Sequence, residues 1–399
     1  MQLIKNKFIK KSFIIDFILI LFLFEPTIFV KYNLYNNLFI VGGILSFIYI
    51  VVVYVKKNIN LNKMIVYLIF FRIVNIFSTL FYDGDLLKIG YTSMTIVTLF
   101  LYANYYYSKI EFDDFINILY KIFSILLFIN LIIYMFYPQG INPQYPELSF
   151  LGIRTRFTEY AISGALLAYI NYKNGKIKQL SFLSTIIISF LNIALPKIGT
   201  GFIGIFCFIL FFTLLNKCVK NKNNVKFNWL QIPIYVFIVA IVFFRIHIYF
   251  DFIIVDILGK DLTLTGRTEI WDSAIEVIKN SNIWIGNGYV ENGNFVPYGM
   301  NSYYQAHNQI LQLLYECGIV GIILFLVFLN SILKSTSNPT TKYDIIIVSV
   351  IYALLVIMIS EVYSYYIASY IPLILFFYRN RILCNEREIY ENKCYNTDI

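Results

Sequence analysis

Five cations interrupt a chain that is otherwise oily: Arg154, Arg156, Lys197, Arg245 and Arg267. Each lies in, or close to, a polar stretch between apolar runs. Guanidinium groups bind phosphate through paired hydrogen bonds and stay charged in a partly dry site. Together the five suggest a polyanion site. For any one of them the alternative is snorkelling, or pairing with Glu159, Glu269 or Asp251. The sequence holds only two histidines. His307 opens AHNQILQLLYECGIVG, where Asn308, Gln312 and Glu316 recur at steps of four and form one polar stripe along a helix. Such groups in an apolar helix face a cavity or bond a neighbouring helix. An imidazole with the ordinary pKa near ~6.5 is mostly neutral at neutral pH and can take the proton of an attacking hydroxyl. His247, inside an apolar run, reads as packed. Asp16, Glu25, Arg72 and Glu361 are intramembrane charges without a role in this reading.

These residues need a frame, and composition says which kind. Hydrophobic residues make up 59% of the 399 and charged residues 14%, against about 45–50% and about 25% in ordinary domains. Apolar runs near the ~20 residues that cross a ~30 Å hydrocarbon layer recur along the chain, so the expected fold is an all-α polytopic membrane protein. The alternating segments of ~10 residues that mark a membrane β-barrel are absent. The net charge of +9 sits in short connections, where it orients spans; it does not form a nucleic-acid face. No cleavage site follows the first apolar run, so no signal peptide is expected. The five cysteines show no framework and no ligand spacing, so neither a disulfide nor a metal site is expected.

Twelve spans are predicted, at 13–30, 38–55, 64–82, 92–107, 116–137, 157–172, 180–195, 201–215, 229–250, 310–329, 345–359 and 365–378. With both termini cytoplasmic, the even-numbered connections and the ends collect most of the 32 Lys and Arg residues, including Lys5, Lys7, Lys10 and Lys11 at the start and Arg387 and Lys393 at the end. Residues 1–399 then form a single integral membrane domain, and 251–307 is one long loop facing outward. Loops that long are usually functional or disordered; this one keeps aromatic and apolar residues throughout. Within it, TEIWDSAIEVIK (268–279) places Trp271, Ala274, Ile275 and Ile278 on one helical face and Glu269, Asp272, Glu276 and Lys279 on another. A second outward segment, 138–157, carries prolines and delivers Arg154 and Arg156 to the sixth span. Gly286-Asn287-Gly288 is a turn signal. Gly164 and Ala168 suit close helix packing.

TGRTEIWDSAIEVI, IGNGY and AHNQILQLLYECGIVG, in that order and spacing, resemble the signature of the O-antigen ligase and polymerase superfamily, with GIRTRF and PKIGTGFIGI as weaker upstream likenesses. The resemblance implies a metal-independent membrane glycosyltransferase without cofactor, whose donor is an undecaprenyl-pyrophosphate-linked oligosaccharide on the outer face of the bacterial inner (cytoplasmic) membrane. Carried over, His307 is the general base and Arg267 a pyrophosphate ligand, these two forming the catalytic pair. Arg154 or Arg156 is a second ligand. Lys197, Arg245, Glu269, Asn308, Gln312 and Glu316 complete the candidate substrate-binding set. The implied partners are the lipid-linked glycan, the bilayer, and a chain-length regulator and flippase of the same pathway. The sequence departs from the family pattern at Lys197, where a Ser-Arg pair is expected. It also lacks the Arg-x10-Gly spacing after both Arg154 and Arg267. The expected activity is polymerisation of O-antigen, capsule or similar repeat units. The alternative is ligation of finished glycan to lipid A core or another acceptor, and the third reading is a flippase or transporter.

Overall fold

Backbone polar groups in hydrocarbon must be paired within their own segment, which selects helices. The computed structural model describes residues 13–220, 231–257, 261, 263, 266–290, 295–296, 305–334 and 342–382. Among these residues there are helices and turns and no strand; Ser149 and Gly152 form an isolated antiparallel bridge. The helices are α1 (13–21), α2 (Asn33–Lys57), α3 (Lys63–Phe81), α4 (Leu86–Ser108), α5 (Phe112–Phe136), α6 (Phe157–Lys173), α7 (Gln179–Ala194), α8 (Gly199–Lys220), α9 (Gln231–Phe244), α10 (Arg267–Lys279), α11 (Gln309–Leu333), α12 (Lys342–Ile357) and α13 (Ile371–Phe377). Among the described residues α2, α3, α4, α5, α8 and α11 are long and apolar enough to cross a membrane, and shorter apolar helices accompany them. The chain is a multi-pass membrane protein. The basic residues predicted at the two ends lie outside the described residues, as does the side chain of His247.

The packing is that of a chain with oil for solvent. On α2 the exposed residues include Leu34, Leu38, Val41, Leu45, Ile48, Val52 and Val55, a continuous apolar stripe. Polar groups turn inward: Arg72, Asn75, Ser78, Asn104, Asn130, Glu159, Asn171 and Asn192 are all buried. Several of them join helices. Asn130 Nδ2 donates to Asn192 Oδ1 at 2.8 Å, tying α5 to α7, and the Tyr106 hydroxyl donates to Asp16 at 2.5 Å, tying α4 to α1. Gly164 packs on Leu127, a close approach that only a small residue allows.

Besides the tenth, three predicted spans are interrupted. The first is helical only over 13–21 and turns before Pro26, whose missing N–H and preceding-residue restriction end a helix. The ninth stops at Phe244, because Arg245 adopts a left-handed backbone (φ 52°) and a 3-10 turn follows over Ile246–Phe250. The last begins as a 3-10 turn, Ile367–Tyr370, before Pro372 opens α13.

The tenth span, α11, is broken from within. Gly318 (φ 63°, ψ −162°) leaves helical geometry. The freed N–H groups of Ile319 and Val320 donate to the carbonyls of Ile283 (2.9 Å) and Trp284 (3.1 Å), while Asn287 and Gly288 N–H donate to the carbonyls of Tyr315 (2.6 Å) and Glu316 (3.0 Å). Residues 283–288 therefore splint the break. Gly286 (φ 73°) makes this possible: a Cβ there would sit 2.5 Å from the Tyr315 carbonyl oxygen. The glycine-rich turn of the long loop is thus a structural part of α11.

Candidate active site

The amphipathic segment of the long loop folds as α10, one residue longer than the pattern predicts. It buries Trp271, Ala274 and Ile278 against Ala306, Leu311 and Tyr315 at the start of α11 and Ile241 and Val242 of α9. Arg267 is the first residue of α10, entered through Gly266 in the left-handed region (φ 79°). His307 itself has φ 45°, a backbone that a non-glycine residue holds only when its neighbours impose it. Here they do. Trp271 Nε1 donates to the Ala306 carbonyl at 2.9 Å, and the Ala306 N–H donates to Gln312 Oε1 at 2.7 Å. On the other side Asn308 caps α11, accepting from Leu311 N–H at 3.0 Å, and donates to the Ile359 carbonyl at 2.9 Å.

Three segments converge on this point. Arg267 Nη2 lies 3.2 Å from Glu361 Oε1, in the turn after α12. Arg156, just before α6, lies over the Tyr366 ring with its guanidinium carbon 2.9 Å from the centroid, and acts electrostatically on Glu159 and Glu361. The Glu361 turn is clamped by Gln309, whose Oε1 accepts the N–H groups of Tyr363 (2.8 Å) and Ser364 (2.9 Å) and whose Nε2 donates to Ser364 Oγ (2.9 Å). Burial, reinforced by the positive charge of Arg267, pushes the His307 imidazole down to about 4. Burial pushes the Glu361 carboxyl up to about 7, against the pull of Arg267 and then Arg156. Two guanidinium groups thus act on one carboxyl of near-neutral pKa, and one of them, Arg267, also acts on a neutral imidazole. That set can hold an anion, and it can accept a proton beside the anion.

The remaining candidates are placed as follows. Arg154 pairs with Glu147 at 2.8 Å on the exposed surface, so of the two arginines it is Arg156 that faces the cluster. Arg245 donates to the Thr268 carbonyl at 3.2 Å and pairs with Asp272, bracing α10. Glu269 accepts from Thr268 Oγ1 at 3.1 Å in the first turn of α10. Lys197 is exposed in the turn between α7 and α8, with φ 54°. Gln312 donates to Glu316 Oε1 at 2.5 Å, so the polar stripe of α11 is bonded along its own length up to Ala306. Below it, Arg72 donates to the Ser364 carbonyl and to the Tyr370 hydroxyl, the latter at 2.5 Å. An apolar cleft of about 780 Å³ lies between α2, α3 and α4 with Arg72 in its wall. The cluster around Arg267 is formed by other helices. Among the described residues no group of His, Cys, Asp and Glu is arranged to hold a metal ion.

Residues 181–326 match the family model described as O-Antigen ligase. The matched segment contains Arg267, His307 and the α11 stripe. No curated protein and no solved structure matches the chain. Arg156 and Glu361 lie on either side of the matched segment in sequence, and Glu361 meets its Arg267 in space. Sequence reasoning left Glu361 without a role and passed over Gln309. A signal for both existed: an acidic residue kept at the end of an apolar run, and an amide directly after the capping asparagine.

Proposed function

We propose that this protein joins diphosphate-linked oligosaccharide repeat units into a surface polysaccharide, acting as a polymerase of undecaprenyl-pyrophosphate-linked glycans. The observation that carries the reading is that Arg267 and Arg156 converge electrostatically on Glu361 while Arg267 also acts on a neutral His307. In the reaction an acceptor hydroxyl oxygen attacks the anomeric carbon of the donor sugar. The bond from that carbon to the diphosphate oxygen breaks, and the hydroxyl proton goes to His307 Nε2 or Nδ1. The leaving group already carries its charge on two phosphates, so fixed positive groups aimed at it supply electrostatic stabilisation without rearrangement. Arg267 and Arg156 provide this, while the clamped backbone around His307 holds the base in place. Burial is the larger cause of the depressed His307 pKa and stays in place; when the donor's negative charge reaches Arg267, the smaller, electrostatic part is offset, so the imidazole becomes a better base with donor bound. Arg154 and Lys197, both exposed, and the half-buried Glu269 are proposed contacts for the glycan. Asn308, Gln312 and Glu316 act as supports of His307, and Arg245 as a support of α10.

Polymerase is placed ahead of ligase on the divergent, poorly patterned character of the chain outside the matching motifs; the ligase reading rests on the family model's own description. The surface glycan of a strain lacking this gene separates the two. Single-repeat product indicates a polymerase, and long polymer not joined to its acceptor indicates a ligase. Complementation with His307→Ala should leave the deletion phenotype with protein still in the membrane, since a general base contributes about 10²–10⁴-fold. Full-length, attached polymer from that variant removes the base assignment.

A further inference from the structure

Glu361 is the acidic group in contact with Arg267, and the reaction scheme above does not use it. Its carboxylate is buried, 3.2 Å from the guanidinium. Arg156 reaches it electrostatically from the start of α6, and the other titratable groups that face it are Glu159, Tyr363 and Tyr366. The turn that carries it is fixed to the residues just after His307 through Gln309 and Asn308. Glu361 therefore sits on the guanidinium where a phosphate would bind, on a turn whose backbone is held in place.

Charge balance decides what happens next. The cluster has two guanidinium groups and two carboxyl groups, Glu159 and Glu361. A diphosphate diester brings two negative charges. An unbalanced charge in a buried setting is costly and is relieved by a change of protonation. A carboxylate is an acceptor only; once protonated it becomes an O–H donor and can bond to the oxygen that displaced it. We propose that Glu361 is the resident counter-ion of Arg267, that an incoming diphosphate takes its place on the guanidinium, and that Glu361 takes up one proton from solvent as this happens. The proposal rests on the reading of the cluster as a diphosphate site. No bond other than that to the proton is made or broken. With its ionisation already resisted by burial, Glu361 stands close to the protonation state that it adopts on binding.

The test uses purified full-length protein in lipid nanodiscs with inorganic pyrophosphate as the probe. Titration calorimetry in two buffers of different ionisation enthalpy counts the protons taken up. At pH 8, wild type should take up about one proton more than Glu361→Gln. As pH rises from 7 to 8.5 its affinity should weaken more steeply, by up to tenfold per pH unit relative to that variant, as one linked proton requires. Glu361→Gln should bind more tightly than wild type at pH 8. Glu361→Asp, which keeps a carboxylate, should keep the uptake, so the proposal stays testable if the glutamine variant does not fold. Equal uptake and parallel pH profiles in wild type and Glu361→Gln overturn the counter-ion role but leave the diphosphate site standing. Weaker binding by Glu361→Gln at every pH also overturns it and makes the residue structural. Absence of pyrophosphate binding in wild type overturns both readings.

Discussion

Gln309→Ala tests how the site is held. The side chain makes three hydrogen bonds to the Glu361 turn: it accepts from the N–H groups of Tyr363 and Ser364 and donates to Ser364 Oγ. Gln309, Tyr363 and Ser364 are all buried. Truncation leaves two backbone donors without partners, and a buried donor stranded in this way costs about 1–3 kcal/mol. The expected loss is therefore about 2–6 kcal/mol. With an unfolding entropy of about 2.1 cal/mol/K per residue, that lowers Tm by about 2–7 °C for a chain of this length. The direct assay is amide hydrogen exchange in nanodiscs, where the peptide containing 361–364 should lose protection before α12 does. Activity should fall with it, because the turn carries the partner of Arg267. An exchange pattern and Tm equal to those of wild type would refute the claim that Gln309 clamps this turn.

Other changes probe the same arrangement from different sides. Gly286→Ala should destabilise the protein by at least about 1–2 kcal/mol from its left-handed backbone alone, whereas Gly90→Ala, where an added Cβ meets nothing within 4 Å, should be tolerated; thermal unfolding of the two compares them directly. Trp271→Phe strands the Ala306 carbonyl and should cost about 1–3 kcal/mol, seen as a drop in turnover larger than any change in donor KM. With two histidines in the chain, ¹⁵N-histidine spectra assigned with a His247 variant should place the His307 midpoint near 4, and a midpoint at 6.5 or above contradicts the burial described here. A folded pKa below the unfolded value means that His307 binds its proton less well in the native state. Its contribution to stability is therefore full above about 6.5 and is lost as pH falls from there toward about 4, and His307→Gln should flatten that part of the curve.

Much of this was legible in the sequence because the bilayer imposes simple rules. Long apolar runs gave α2 to α5, α8 and α11, and the 3.6-residue pattern of TEIWDSAIEVIK gave α10 with its buried Trp271 face. Other features depended on distant partners. Nothing local to Gly318 says that α11 breaks there, because the break is satisfied by Ile283 and Trp284 from elsewhere in the chain. Arg154 and Arg156 look alike in sequence. They part company only because a 3-10 turn sends one to Glu147 and the other to Tyr366. Glu361 could not be joined to Arg267 without knowing that Gln309 pins the turn between them. The α11 stripe was legible as a stripe, but its bonds run along the helix to Ala306, which local spacing does not reveal.

The central claim is that Arg267 holds the leaving diphosphate through its guanidinium fork. Purified protein in liposomes, given an undecaprenyl-diphosphate-linked oligosaccharide, allows glycan transfer and release of the prenyl diphosphate to be followed together. Arg267→Lys should keep the positive charge yet lose about 1.5–3 kcal/mol of charge-assisted hydrogen bonding, so that transfer falls by roughly 10- to 150-fold. Transfer at the wild-type rate by Arg267→Lys would contradict that claim.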